Sequence, residues 1–96
     1  MTRFAILESN SGYVWGVVDA ENALDACSVL DREIGADRGE GAYESAGFSD
    51  LNATRGVYDV RTAPVGFDVP DGQDEAAIET VNALPRVGVF GWESTE

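Results

Sequence analysis

The fold is decided by residues 4–18, which read FAILESNSGYVWGVV. Two runs rich in aliphatic and aromatic residues, 4–7 and 13–18, flank a Ser-Asn-Ser-Gly turn cluster at 9–12. β-Branched and aromatic residues favour strands, while Asn and Gly tolerate the left-handed backbone conformations of tight turns. The stretch therefore predicts a β-hairpin. Strict alternation along its second strand separates two sets of side chains, namely Tyr13, Trp15 and Val17 on one face and Val14, Gly16 and Val18 on the other.

Two helices are predicted downstream of the hairpin. Apolar side chains recur at helical spacing along residues 20–34, with Asp19 as the predicted N-cap and Gly35 as the residue that ends the helix. A second apolar stripe follows Asp71, its predicted N-cap, and stops at Pro85. Each helix therefore has one apolar side available to pack against a sheet.

Further strands are predicted at residues 57–62, 66–69 and 86–92, of which the middle one is short. The resulting order, β-β-α-loop-β-(β)-α-β, predicts an α+β fold. We expect a mainly antiparallel sheet of four to five strands with two helices on one face. Because the last strand directly follows a helix, it is also a candidate for parallel pairing. The expected organisation is a single compact domain over residues 1–96.

Residues 36–54 are rich in Gly, acidic and small residues and show no sustained periodicity. They predict a long loop, and loops of more than about 12–15 residues are usually functional or mobile. Two interpretations stay open for its aromatic side chains Tyr43 and Phe48: they pin the loop to the core, or they contact a partner. Trp15 and Phe90, which lie in predicted strands, are interpreted as core residues.

Composition excludes several classes of function. The chain has 96 residues, 18 acidic and 6 basic residues, a net charge of −12 and no His. Without His, neither Ser-His-Asp nor Cys-His catalysis nor a His-ligated zinc site is available. The negative charge also argues against direct contact with nucleic acid, which needs a basic surface. We therefore expect a protein that is not an enzyme and has no cofactor and no catalytic or metal-binding residues.

The chain shows no targeting or membrane segment by pattern. Its opening apolar run has four residues, whereas the core of a signal peptide needs about 7–15. We therefore expect a soluble, cytoplasmic protein with no contact to a membrane. Cys27 is the single cysteine, so no internal disulfide is possible, and it is predicted to be a buried structural thiol.

The acidic run at residues 68–75 is a candidate cation site. Asp68, Asp71, Asp74 and Glu75 offer the oxygen ligands that Ca²⁺ and Mg²⁺ prefer, although their spacing does not match an EF-hand. Acidic residues also gather at helix starts because they interact favourably with the helix dipole. Helix capping is the favoured interpretation, and a divalent-cation-dependent enzyme is the least favoured alternative function.

The acidity itself has three open explanations. Acidic residues divide evenly between the halves of the chain, nine in residues 1–48 and nine in 49–96, so no acidic tail accounts for them. They serve solubility, they reflect the composition of the host, or they imitate the phosphate backbone of a nucleic acid. The last of these predicts a small acidic interaction protein that inhibits a basic nucleic-acid-binding partner. Inhibitors from phages or mobile elements, such as anti-CRISPR proteins, share this composition.

An antitoxin-like or regulatory module that neutralises a basic protein is the alternative function. The hairpin followed by Ala20-Glu21-Asn22-Ala23-Leu24-Asp25-Ala26 resembles small antitoxin-type domains of sheet and helix, and no functional residue is carried over from that resemblance. If one apolar face of the sheet is exposed, a homodimer is also expected.

The predicted partner-binding residues lie on the first helix and in the long loop. Glu21 and Asp25 occupy the outer side of the helix. The loop contributes Asp37, Glu40, Tyr43, Glu44, Phe48 and Asp50. Charge reversal at Glu40 and Glu44 is expected to weaken binding of the partner without loss of stability.

Overall fold

The structure is a computed structural model that describes residues 1–9, 12–36, 43–45, 57–69 and 75–92, with only the backbone at Glu44, Ser45 and Trp92. Five strands and two helices lie within these ranges. In chain order they are β1 (Thr2–Glu8), β2 (Val14–Ala20), α1 (Ala23–Ile34), β3 (Tyr43–Ser45), β4 (Val57–Ala63), α2 (Glu75–Asn82) and β5 (Arg86–Trp92).

The strands form one antiparallel sheet in the order β2-β1-β4-β5-β3. β1 lies between its hairpin partner β2 and β4, and β5 lies between β4 and β3. The α+β class and the antiparallel sheet are therefore confirmed. The suggestion that the last strand pairs in parallel is wrong, because β5 runs antiparallel to both of its neighbours.

The two helices cover opposite faces of the sheet. Phe4 and Ile6 of β1 belong to the core cluster beneath α1, whereas Ala5 and Leu7 pack with Val81 of α2. Since successive side chains of a strand point to opposite faces, the two clusters lie on the two sides of the sheet. The predicted placement of both helices on one face therefore differs from the structure. A strand that is apolar on both faces needs a cover on each side.

A β-bulge interrupts β2. Ile6 pairs with Gly16 and Leu7 pairs with Val14, so Trp15 is the extra residue in the second strand of the hairpin. Gly16 has a φ of 155°, a conformation that residues with a Cβ rarely adopt. A glycine inside a strand commonly marks such a bulge.

The bulge changes which side chains share a face. A Cβ built on Gly16 would point toward Leu30 of α1, 3.9 Å away, while Val14 and Val17 both pack in the α2-side cluster. Two-residue alternation would put Val14 and Val17 on different faces. The strict alternation predicted for residues 13–18 is therefore wrong.

The start of α1 also differs from the prediction. The side chain of Asn22 accepts a hydrogen bond from the Asp25 backbone N–H at 2.8 Å, so Asn22 is the N-cap and the helix begins at Ala23. Asp19, the predicted N-cap, is still part of β2. The end of the helix is confirmed, because Gly35 adopts the left-handed conformation with φ of 78°.

The remaining differences concern short elements. Residues 66–69 are not a strand, since the Phe67 N–H bonds to the carbonyl of Pro64 and closes a turn there. The short strand β3 lies inside the predicted loop at 36–54. The predicted N-cap Asp71 lies outside the described residues, and α2 ends at Asn82 before the predicted stop at Pro85.

Candidate interaction surface

The Arg3 side chain binds two groups on the face of the sheet that α2 covers. Its Nε donates to the carbonyl oxygen of Phe67 at 2.7 Å, and its guanidinium binds the Asp19 carboxylate at 3.0 Å. β1 and β2 set this geometry, because Arg3 and Asp19 are direct partners in their register. The positive charge of Arg3 is thus used to join the hairpin to the segment before α2.

Asp59, Arg61 and Arg86 form a second cluster, which is mostly buried. Arg61 binds the Asp59 carboxylate through both Nε and a terminal nitrogen, at 2.9 and 2.8 Å. Arg86 of β5 binds the same carboxylate at 3.1 and 2.9 Å. Two-point contacts of this kind are stronger and more directional than single hydrogen bonds.

Arg61 also closes the C-terminal end of α2. It donates to the carbonyl oxygens of Asn82 and Leu84 at 2.8 and 3.0 Å. These carbonyls lie at the negative end of the helix dipole, where a cation is stabilising. Arg61 therefore links β4 to α2, and its side chain is only 8% exposed.

The environment of Asp59 sets its ionisation. Burial of the carboxylate raises its pKa, but hydrogen bonds and charge from Arg61 and Arg86 outweigh that effect and hold the pKa of Asp59 below its usual value of 3.8. The carboxylate is therefore charged at neutral pH, and its contacts with Arg61 and Arg86 stabilise the fold.

The arginines and the carboxylates are distributed differently over the described residues. Of the four arginines described, Arg3, Arg61 and Arg86 are bound in the contacts above, and Arg32 is exposed on α1. The exposed acidic residues of the same ranges are Asp19, Glu21, Glu33, Asp68, Glu75 and Glu79. Since α1 and α2 lie on opposite faces of the sheet, carboxylates reach solvent on both sides of the molecule.

Of the two contact residues predicted for the first helix, Asp25 lies in the first turn of α1, whereas Glu21 precedes the N-cap Asn22 and is not part of the helix. Glu21 is exposed and Asp25 is partly exposed. An Asp25 carboxylate oxygen also accepts from the Glu21 backbone N–H at 3.4 Å, a long contact. Acidic groups here interact favourably with the helix dipole, so both residues have a local structural role beside the predicted one.

The residues predicted from the long loop are only partly described. Tyr43 is buried, at 8% exposure, and stacks on Tyr58 with ring centroids 6.3 Å apart. Of its two interpretations, the structure favours the one in which it pins the segment to the core. Glu44 is described in backbone only, in β3. The other predicted contacts, Asp37, Glu40, Phe48 and Asp50, lie outside the described residues.

A row of four aromatic rings runs from the surface into the α1-side core. Tyr13 meets Trp15 edge to face at 5.0 Å, and Trp15 meets Tyr58 edge to face at 6.1 Å. Tyr58 in turn stacks on Tyr43. We call Tyr13, Trp15, Tyr58 and Tyr43 the aromatic row. Its outer members are exposed, Tyr13 at 46% and Trp15 at 37%, so Trp15 is not the core residue that was predicted.

Strict alternation does not predict the exposed pair, because the bulge at Trp15 breaks the two-residue period. The available indication was Gly16, a glycine directly after a tryptophan in a strand pattern. Its effect on the direction of Trp15 depends on pairing with β1, which the sequence of β2 alone does not specify.

Cys27 lies in the core beneath α1 and is inaccessible to solvent. Burial, together with the negative charge of Asp31, raises the pKa of Cys27 to about 12. A protonated, buried thiol is a poor nucleophile and a poor metal ligand. The prediction of a buried structural thiol is confirmed.

The candidate cation site is described in part. Asp68 is exposed, and one of its carboxylate oxygens accepts from the Val69 backbone N–H at 3.1 Å. Asp71 and Asp74 lie outside the described residues. In the ranges that the structure describes, no three His, Cys, Asp or Glu residues come together to hold a metal ion.

None of the helices in the described ranges has the length and apolar character needed to cross a membrane. Comparison with known proteins gave no matching family model, no similar curated protein and no similar solved structure.

Proposed function

We propose that this chain is a small acidic, non-enzymatic interaction protein of the cytoplasm. It binds a basic surface of a nucleic-acid-binding partner and inhibits that partner by occupying the place of the nucleic acid. The proposal belongs to the class of inhibitors that phages and mobile elements use, anti-CRISPR proteins among them.

One observation carries the proposal. Three of the four described arginines are bound by carboxylates and carbonyls of the same chain, while six described acidic residues are exposed, one of which, Asp19, is the partner of Arg3. Because Arg61 and Arg86 both bind the buried Asp59 carboxylate, neither is paired there with an exposed acidic residue, and the surface keeps its negative charge. A dense negative surface attracts a basic partner over about one Debye length, roughly 8 Å at physiological salt.

The first test is capture of partners from nuclease-treated lysate of the source organism on the immobilised chain. We expect a basic nucleic-acid-binding protein that is retained at about 0.15 M salt and released near 1 M, where screening is nearly complete. Double-stranded DNA or RNA added as competitor should release the same protein. Capture of a basic protein that neither polymer displaces would instead favour the antitoxin-like alternative.

Two double variants locate the contact. Glu21→Gln with Asp25→Asn removes two charges near the start of α1, and Glu75→Gln with Glu79→Gln removes two charges from α2. The net charge changes equally in both, but the helices lie on opposite faces of the sheet. We expect only the α1 pair to raise the Kd for the captured partner, by about twofold to thirtyfold.

Equal effects of the two double variants would show attraction to overall charge without a defined face. No captured partner, or partners indifferent to salt and to nucleic acid, would contradict the proposal and favour solubility or host composition as the reason for the acidity. The prediction that Glu40→Lys with Glu44→Lys weakens binding tests the long loop in the same assay.

A further inference from the structure

Tyr13 and Trp15 form an exposed aromatic pair at the edge of the sheet. Their ring centroids are 5.0 Å apart at an interplanar angle of 68°, and β2 is the outermost strand on this side. Exposed tryptophan is costly to leave in water, because it is among the largest apolar side chains. Trp and Tyr are also the residues most enriched where protein interfaces gain their binding energy.

The pair is held in place from inside the protein. Trp15 contacts Tyr58, whose hydroxyl donates to the Asp31 carboxylate at 2.7 Å. Tyr58 also stacks on Tyr43, the innermost ring of the aromatic row. Because Tyr58, Asp31 and Tyr43 are all buried, the Trp15 ring rests on a rigid support. A preorganised aromatic side chain loses little conformational entropy when a partner binds it.

The net charge of the chain indicates what the pair binds. The chain carries a net charge of −12, so a cationic group approaches it favourably and an anionic one does not. Arginine is the side chain that joins positive charge to a flat, weakly hydrated surface, and it stacks on aromatic rings. A purely apolar partner would match the rings but would gain nothing from the charge.

We propose that the Tyr13–Trp15 pair binds an arginine side chain of the basic partner. This inference rests on the proposed function and adds a specific contact to it. Acidic residues attract the partner from a distance, and the aromatic pair distinguishes an arginine from a lysine at contact. Loss of the pair should therefore change the choice between the two cations, which loss of surface charge does not.

The test uses labelled octa-arginine and octa-lysine peptides, which carry the same number of side-chain charges. Binding is measured by fluorescence anisotropy at about 0.15 M salt. We expect octa-arginine to bind more tightly, and Trp15→Leu to weaken its binding by about twofold to thirtyfold. Binding of octa-lysine should change less, so that the preference for arginine falls.

Controls separate the rings from general effects. Leu24→Ala shortens another exposed apolar side chain, 45% exposed on α1, and should leave both affinities unchanged. Trp15→Phe keeps an aromatic ring and should give an intermediate loss, which also covers the case in which the leucine variant does not fold. In a Trp92→Phe background, octa-arginine should shift the emission of Trp15 itself.

The outcomes distinguish this inference from the proposed function. Salt-sensitive binding of both peptides with equal affinity, unaffected by Trp15→Leu, would overturn the arginine contact and leave the proposed function standing. A chain that binds neither peptide at physiological salt has no functional attraction for basic segments, and both proposals would then fall.

Discussion

Tyr58 donates a hydrogen bond of 2.7 Å to Asp31 and thereby joins β4 to α1 where both residues are closed to solvent. Asp31 is on the buried side of α1, where a carboxylate is stable only with hydrogen-bond donors. The bond thus fixes the C-terminal half of α1 above the sheet and positions the ring that supports Trp15.

Tyr58→Phe keeps the ring and removes this donor. We expect the free energy of unfolding to fall by about 1–3 kcal/mol, because a buried carboxylate loses a hydrogen bond that water cannot replace. Urea denaturation measures the loss. Thr80→Val is the control, since it removes an exposed hydroxyl that bonds to the Ala76 carbonyl, and it should cost less than about 0.5 kcal/mol. Equal losses in the two variants would contradict the role assigned to Tyr58.

On the opposite face of the sheet, Asp59→Ala should lower the free energy of unfolding more than Asp19→Ala does. It leaves Arg61, only 8% exposed, without its carboxylate, and breaking a buried ion pair from one side costs about 3–5 kcal/mol. Asp19→Ala breaks the Arg3–Asp19 pair, in which Asp19 is 54% exposed, and should cost about 0–1 kcal/mol. Chemical denaturation of both variants measures the two free energies of unfolding. A small loss of stability in Asp59→Ala would show that hydrogen bonds to the carbonyls at the end of α2 are sufficient for Arg61.

The same carboxylate gives a pH dependence with a defined sign. The pKa of Asp59 is lower in the folded chain than its usual value of 3.8, so its contribution to stability is fully present above that value. It is lost as pH falls through the folded-state pKa. The difference in unfolding free energy between the wild type and Asp59→Asn should therefore be constant from pH 5 to 8 and shrink below about pH 4. A difference that grows toward low pH would reverse the assignment.

Much of the fold follows from local sequence patterns. Apolar periodicity locates α1, the core part of α2 and the strands β1, β4 and β5, because each pattern is set by which side of one element is buried. Gly35 ends α1 for an equally local reason, its left-handed backbone. Asn22 and Asp19 have similar propensities as N-caps, and only the pairing of β2 through Ala20 excludes Asp19.

The remainder depends on contacts between distant parts of the chain. Whether two helices share a face is decided by how the connections cross the sheet, which periodicity does not contain. The number of acidic residues follows from composition. The binding of Arg61 and Arg86 to Asp59, by contrast, requires β4 and β5 to be neighbours in the sheet. The exposed position of Trp15 likewise depends on a bulge in the pairing with β1.

Cys27 should react with thiol reagents only when the chain unfolds. Its thiol is buried, and its pKa is raised to about 12, so the reactive thiolate is nearly absent at pH 8. The rate of labelling with a disulfide reagent should follow the urea unfolding transition. A Glu33→Cys thiol in a Cys27→Ala background, exposed on the same helix, should react at once without urea. Rapid labelling of native Cys27 would contradict the burial on which this prediction depends.

Gly16→Ala tests the link between the bulge and the aromatic row. At φ of 155° an alanine is strained, although its Cβ would find room 3.9 Å from Leu30, so the expected loss of about 1–3 kcal/mol comes from the backbone. Gly66→Ala is the matched control, because Gly66 also has a positive φ of 79° with open space around it. Both variants should unfold at lower urea, but only Gly16→Ala should change the emission of Trp15 in a Trp92→Phe background. If its emission stays as in the parent, the bulge does not set the direction of the Trp15 ring.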